Sequence, residues 1–595
     1  MNDNPHPIYT LGQDPVKDAR YSAFFLENHL DHNAYPDEVA SPEQIGFMVH
    51  LEGNDRYYPC AERMFNAIMT GCDRDYLISR YNQVFARIME IINEKITSQY
   101  QREYLKALIC MKFEHETRDF IMIPSRLEKR LFKIIHNHAF MIDTYLEDKK
   151  KRNSRVARCL KSPEFKSAVN SIDISKMKNL PDTLSKVREE LERVELRRLI
   201  ALTASEEIWE TDAAERFTIE DYERILNSPI GGGAKSDLFE FLGVNAVKAA
   251  DSSSESKKIL WIANESGEFL VDMAIIRYLT RLGHKVIVAL KEGPFFKKVS
   301  FDDMFEDSNL REFLATSLII RDNRLTKNEL IDILRRDQHL FLMPDGTRED
   351  MNLLMTSTAF ARVFKEVDGI ITRGPDQKRR IFDSRFTFTQ DIFNISKNED
   401  GTVDINLKRK HSMVIHFSHK DLEEKADAII EKMRAAKNNG MSVMFYSGIV
   451  GSIPGKIDEA IKIMATFIDY LNNHLLNTFI INPSRYYEPG MDADDLMYMW
   501  EIVQRSGCID IWRFQTSEDI ATAFEIIGEK IPPEWSGKDA TYSTGCTKEM
   551  AIAEDVLKKH PEMQIIGPPK EKFMRRKEYG VGMMHDRRLG GRTKP

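Results

Sequence analysis

From about residue 55 to 227 apolar residues recur three and four apart with charged residues between them, as in AERMFNAIMTG, DYLISRYNQVFARIMEIINEKI and TLSKVREELERVELRRLIALTA. This spacing predicts amphipathic helices. The stretch LSKVREELERVELRR is too short for the several heptads of a coiled coil, so it reads as a bundle helix. Residues 228–235, with Gly231, Gly232 and Gly233 beside Lys235, break the pattern. No strand precedes them and no P-loop spacing follows, so an inter-domain joint is expected there. Beyond it, short apolar runs alternate with helical stretches. KKILWIA, KVIVAL, HLFLMP, GIITRG and SMVIHF read as strands, and a second series near residue 436 gives SVMFYSG, NTFIINP, CIDIWRF, ATYSTG and MQIIGP. Strands alternating with helices point to a mostly parallel sheet covered on both faces.

The expected fold class is therefore α/β. An N-terminal α-helical region over 1–230 leads into an α/β core over 231–435 with a mostly parallel, doubly wound sheet. A second, smaller α/β domain follows over 436–595. The length of 595 residues fits two or three domains better than one core.

Composition narrows the classes. No apolar run approaches the ~20 residues of a membrane span, and the opening MNDNPHPIYTLGQD shows no charged-then-apolar leader. Six cysteines without a CxxC pair argue against a zinc site or a disulfide framework and fit a reducing cytoplasm. A net charge of −8 makes no general case for nucleic acid or membrane. Residues 570–595, with nine Lys/Arg against three Asp/Glu, read as an exposed tail or as an arm for an acidic surface or a partner subunit. A protein partner or a homo-oligomer formed through the C-terminal domain and this tail stays open.

In an open parallel sheet, ligands sit where strand carboxyl ends meet the following helices. Four loops of the core should converge there: 264–268, 291–298, 344–347 and 372–377. Helix starts expose N–H groups that favour anions, phosphate above all. Lys291, Lys297, Lys298, Arg373, Arg379 and Arg380 add positive charge, although Lys297, Lys298, Arg379 and Arg380, each taken singly, read first as solvated surface.

The first loop reads Asn264-Glu265-Ser266-Gly267-Glu268 with Asp272 in step. The second reads Lys291-Glu292-Gly293-Pro294, then Lys297-Lys298-Val299-Ser300-Phe301-Asp302-Asp303. Arg373-Gly374-Pro375-Asp376-Gln377 follows the run Phe364 to Ile371. Together these resemble the three motifs of the damage-control phosphatase family, which includes proteins once described as acidic-residue methyltransferases. The resemblance spans about residues 55–430, with its specific signal in 255–385. It implies a divalent metal (Mn, Co, Ni or Mg) held by the positions that here are Asn264, Glu265 and Lys298.

Lysine cannot ligate as an ammonium, because it has no lone pair. Two readings follow. In the first, Lys298 takes the metal's electrostatic role, pairing with Glu265 or Glu268. In the second, Asp272, Asp302 or Asp303 supplies the missing ligand, although Asp302 and Asp303 also suit a helix N-cap. The expected catalytic residues are Asn264, Glu265 and Glu268. The expected substrate-binding residues are Lys291, Lys298, Arg373 and Gly374, and the expected metal ligands are Asn264, Glu265 and Asp272.

The leading expectation is a phosphatase-like protein that binds a small phosphorylated metabolite, with metal-dependent hydrolysis absent or altered. An active metal-dependent sugar-phosphate phosphatase with relocated ligands is the alternative enzyme. A non-catalytic structural or regulatory subunit is the third. In the C-terminal domain, the loop at 447–456 lacks Walker spacing, Cys546 has no histidine placed to activate it, and 488–495 reads as a helix cap.

Overall fold

The computed structural model describes residues 12, 14–53, 55–139, 143–171, 184–244, 256–398, 400–453 and 455–574. Most of the basic tail therefore lies outside the described residues. The chain forms two compact units, one of residues 1–323 with 334–412 and one of 324–333 with 413–595. The N-terminal helices belong to the first unit together with the α/β core. The helix before residue 436 belongs to the second.

In the first unit the strands are β1 (Val49–His50), β2 (Ile230–Gly231), β3 (Lys258–Ile262), β4 (Lys285–Leu290), β5 (Leu318–Ile319), β6 (Leu340–Pro344), β7 (Gly369–Arg373), β8 (Thr387–Phe388), β9 (Ile392–Lys397) and β10 (Val403–Lys408). Eight of them make one sheet in the order β2-β10-β9-β7-β3-β4-β6-β5, parallel except for β9 against β10. The strands β3, β4, β6 and β7 are near-continuous apolar runs because both faces are covered. Val286, Ile287, Val288 and Leu290 of β4 are all buried, each worth about 1.5–3 kcal/mol of transfer free energy. The order reverses at β3, which has β4 on one side and β7 on the other, so the loops after β3 and β7 flank the switch point.

Four helices bear on that point: α1 (Arg74–Lys95), α2 (Leu146–Lys161), α3 (Glu268–Arg281) and α4 (Gly374–Phe382). Helix α1 follows the expected pattern, burying Leu77, Tyr81, Ile88, Ile91 and Ile92 on one stripe. Helix α2 does not. Its covered face holds Lys149, Arg152 and Asn153 beside Val156 and Ala157.

The glycine run expected as an inter-domain joint is part of the sheet. Ile230 and Gly231 pair with Val403 and Asp404 as an edge strand. Gly232, at φ +89°, passes so close that a Cβ there would lie 2.4 Å from the Ile405 carbonyl oxygen. Only glycine allows that approach.

The second unit has β11 (Ser442–Ser447), β12 (Thr478–Ile481), β13 (Ile511–Phe514) and β14 (Gln564–Ile566), all parallel, in the order β12-β11-β13-β14. Alternate residues of β11 feed different cores, Val443 and Phe445 one and Met444 and Tyr446 the other, so helices cover both faces. Its helices include α5 (His419–Asn438), α6 (Ile457–His474), α7 (Ala493–Gln504) and α8 (Thr544–Lys559). The short helix Lys327–Leu334 joins this unit through Lys327, whose Nζ lies 2.7 Å from Asp495 Oδ1 with both side chains buried.

Two expected strands are absent. SMVIHF is irregular, with Met413 and Ile415 exposed. In ATYSTG, the Asp539 carboxylate accepts from the Thr541 N–H and Ser543 caps α8, so side chains satisfy the backbone groups that a strand would have paired.

Candidate functional site

Strand β3 ends at Ile262, and Gly267 turns the chain into α3 at φ +85°. A Cβ on Gly267 would lie 2.6 Å from Trp209 Cβ and 3.1 Å from Arg152 Cβ, so glycine is required. Between these points the side chain of Asn264 is tied at both ends. Its Nδ2 donates to Glu268 Oε2 at 2.7 Å, and its Oδ1 accepts from Lys298 Nζ at 2.5 Å. Glu268 Oε2 also accepts from the Glu265 N–H at 3.2 Å, which ties the loop to the first residue of α3.

The backbone fixes Lys298 in this place. Val299 N–H donates to Asn264 O, Ser266 N–H donates to Lys297 O, and Glu265 and Lys298 form an isolated antiparallel bridge. The two loops thus run as a short ladder, and residue 298 is held alongside the first motif. Pairing of Lys298 was expected with Glu265 or Glu268. Its hydrogen bond instead falls on the Asn264 amide oxygen.

Glu265 is held from the other side. Arg152 of α2 reaches Glu265 Oε2 at 2.8 Å and also pairs with Glu210. Burial pushes the Glu265 carboxyl up, but the charges of Lys298 and Arg152 outweigh it and leave the group below its ordinary value. Asn153, next to Arg152, accepts from the Gly267 N–H at 2.6 Å and donates to Asp307 at 2.8 Å. Lys149, one turn earlier, pairs with Asp143 and Asp303. The polar stripe of α2 therefore locks the motif loops. Asp303 also accepts from the Ser300 N–H at 2.7 Å, and Asp302 is exposed.

Asp272 and Arg373, expected as a metal ligand and a substrate cation, are placed against each other in the core of the unit. Arg373 Nε donates to Asp272 Oδ1 at 2.9 Å, Nη1 donates to Ile395 O at 2.7 Å, and Nη2 lies 3.3 Å from Glu268 Oε1. Trp261 Nε1 donates to the other Asp272 oxygen at 3.1 Å. Arg373 is 1% exposed and Asp272 0%. Burial pushes the Asp272 carboxyl up to about 7 against the opposing Arg373 charge, with Glu268 adding to the rise. Gly374 adopts φ +78°, and a Cβ there would sit 2.9 Å from Asn264 Nδ2, so it lets the third loop pass close to the first.

Lys291 is buried, with its Nζ on Asp345 Oδ2 at 2.6 Å and on Thr347 Oγ1 at 2.8 Å. Asp350, which the sequence did not single out, pairs with Arg380 at 2.9 Å. Burial raises its carboxyl, and Arg380, Lys298, Lys291 and Arg87 of α1 together draw it down to about 2. One carboxylate thus sits in the summed field of four cations from three segments. Arg152 was missed as well. Its signal was the run Lys149 to Asn153 on the same helical face as Val156, where an amphipathic helix would place apolar residues.

The donor set does not fit the divalent metal implied by the resemblance. A hard cation needs several anionic or neutral oxygens with open lone pairs. Here Asn264 Oδ1 faces the Lys298 ammonium, Glu265 faces Arg152, and Asp272 lies beneath Arg373. A metal ion would meet positive charge at each of these oxygens.

The profile of the damage-control phosphatase ARMT1-like domain matches residues 65–400, more than half the chain. Among solved structures, a DUF89 family protein from Pyrococcus horikoshii is similar, with 18% identity, a TM-score of 0.38, and coverage of 56% of this chain and 97% of that one. No curated protein matches. The chain belongs to the damage-control phosphatase ARMT1-like family, and the matched residues fall in the first unit except for 324–333.

Proposed function

We propose that the first unit binds a phosphorylated small metabolite at the switch point, with Lys298 standing where the family places a metal ligand. The observation that carries this reading is the 2.5 Å hydrogen bond from Lys298 Nζ to Asn264 Oδ1. A phosphate group is recognised by charge and by hydrogen-bond donors, and both can be supplied without a metal. Lys298 and Lys297 of the second loop, with Arg380 of α4, provide the positive field.

Hydrolysis is a different demand. A metal polarises the phosphoryl oxygen and makes its bound water acidic enough to attack. An ammonium group offers one of these effects, stabilisation of negative charge, and cannot activate a bound water. Glu265 and Glu268 are held in hydrogen bonds to Arg152, Asn264 and the loop backbone. The expected activity is therefore binding with metal-dependent hydrolysis lost or strongly reduced.

The test is isothermal titration of inorganic phosphate and a panel of sugar phosphates into the metal-free full chain. Saturable binding without metal supports the reading. Binding that appears only with an added divalent metal sinks it.

A further inference from the structure

We propose a second, independent cation site in the first unit, formed by His50, Glu52 and His411 and selective for a borderline transition metal such as Zn²⁺. The residues come from opposite ends of the unit. His50 lies in β1, opposite Thr387 of β8. His411 follows β10, and its N–H donates to Phe388 O at 3.0 Å, so β8 carries both neighbours. Thr389 fastens the same ribbon, its N–H donating to Met48 O at 3.0 Å and its Oγ1 to Phe47 O at 2.7 Å.

On this backbone frame the two imidazole rings stack with centroids 3.9 Å apart and planes 9° from parallel. Glu52, two residues beyond His50, brings Oε1 to 4.0 Å from His411 Nε2. One ligand atom from each of the three residues lies within 4.8 Å of the others. Ligands on a tetrahedral zinc stand roughly 3.4 Å from one another, given Zn–N and Zn–O bonds of about 2.1 Å. In the stack the two ring lone pairs run nearly parallel, so binding needs both imidazoles to turn out of the stack about their side-chain torsions and the exposed Glu52 to swing in, with water as fourth ligand.

The donor chemistry sets the class of ion. Two imidazoles and one carboxylate favour Zn²⁺, Ni²⁺ or Cu²⁺ over Mg²⁺ and Ca²⁺, which prefer all-oxygen shells. The cysteine pattern argues against zinc, but it is silent on histidines 361 positions apart in sequence, which only the fold brings together. The site would tie residues 49–52 to the last residues of the first unit, and it shares no residue with the phosphate-binding reading.

The experiment is titration of Zn²⁺ alone into the full chain, with any affinity tag removed, and Mg²⁺ as the control. The expected result is one saturable zinc site, no magnesium binding at that site, and loss of zinc binding in His50→Phe and in His411→Ala. The His50→Phe variant keeps an aromatic ring for the stack while removing the ligand. Glu52→Gln, at an exposed position, should bind zinc about tenfold or more weakly with an unchanged zinc-free melting temperature. Glu265→Gln should bind zinc as the parent does. Absence of saturable zinc binding would overturn the proposal, as would binding that survives His50→Phe or that disappears only in Glu265→Gln.

Discussion

Replacing Lys298 by methionine keeps the stem and removes the charge, and its effects follow from the side chain's partners. Lys298 is 8% exposed, and its ammonium donates to Asn264 Oδ1 at 2.5 Å while lowering the Glu265 carboxyl through space. Within the fold, the change leaves one buried amide oxygen without its donor, worth about 1–3 kcal/mol. Glu265 keeps Arg152, so the unit should fold with a lower melting temperature.

At the ligand the change removes a charge-assisted hydrogen bond to phosphate, worth about 1.5–3 kcal/mol. Taking about 2 kcal/mol, the dissociation constant should rise roughly 30-fold. The assay is calorimetric titration of inorganic phosphate and sugar phosphates into the parent, Lys298→Met and Lys298→Arg, each confirmed as folded. Lys298→Arg should retain most of the affinity. A Lys298→Met protein that binds phosphate as tightly as the parent would refute the assignment of this ammonium to the anion site.

Three further outcomes are expected. The Asp350 carboxyl, drawn from 3.8 to about 2 in the fold, contributes stability above pH 4 that is lost as pH falls toward 2, about 2 kcal/mol in all. Asp350→Asn should therefore be less stable by that amount at pH 7 in urea unfolding, with the gap closing between pH 4 and 2. The Glu549 carboxyl of α8, raised by burial from 4.5 to about 7 and accepting from Gln504 Nε2 at 2.9 Å, acts in the opposite sense. The folded state binds its proton more tightly, so stability falls as pH rises from 4.5 through 7, and Glu549→Gln should unfold at higher denaturant than the parent at pH 8. Gly267→Ala combines a strained backbone at φ +85° with a contact 2.6 Å from Trp209 Cβ, and chemical denaturation should register a loss of about 3 kcal/mol.

The sheet was legible where burial is two-sided, because β3, β4, β6 and β7 leave uninterrupted apolar runs. The β9–β10 hairpin was not, since Asp404, Asn406 and Lys408 interrupt the apolar pattern of β10. Residues 413–417 misled in the opposite way, their apolar character spent on an irregular segment in which Ile415 covers Gly490.

At the site, motif order placed Asn264, Glu265, Glu268 and Lys298 together. It could not show that Arg373 turns inward to Asp272. A cationic side chain can serve a ligand or a buried carboxylate equally well, and only the path of the side chain decides. Arg152 and Asp350 lie 112 residues before Asn264 and 86 residues after it, so the polar stripe around Arg152 marked an unusual helix face without showing that either residue meets the motif loops.

The most direct test of the central claim is hydrolysis of a sugar-phosphate panel by the purified chain with added Mn²⁺, Co²⁺, Ni²⁺ or Mg²⁺. It should be run beside Glu265→Ala and on a His50→Phe background that removes the second cation site. The account predicts phosphate binding without metal and no metal-stimulated turnover attributable to Glu265. Robust metal-dependent turnover that Glu265→Ala abolishes would contradict it, because the Lys298 ammonium would then have to yield its place to an ion.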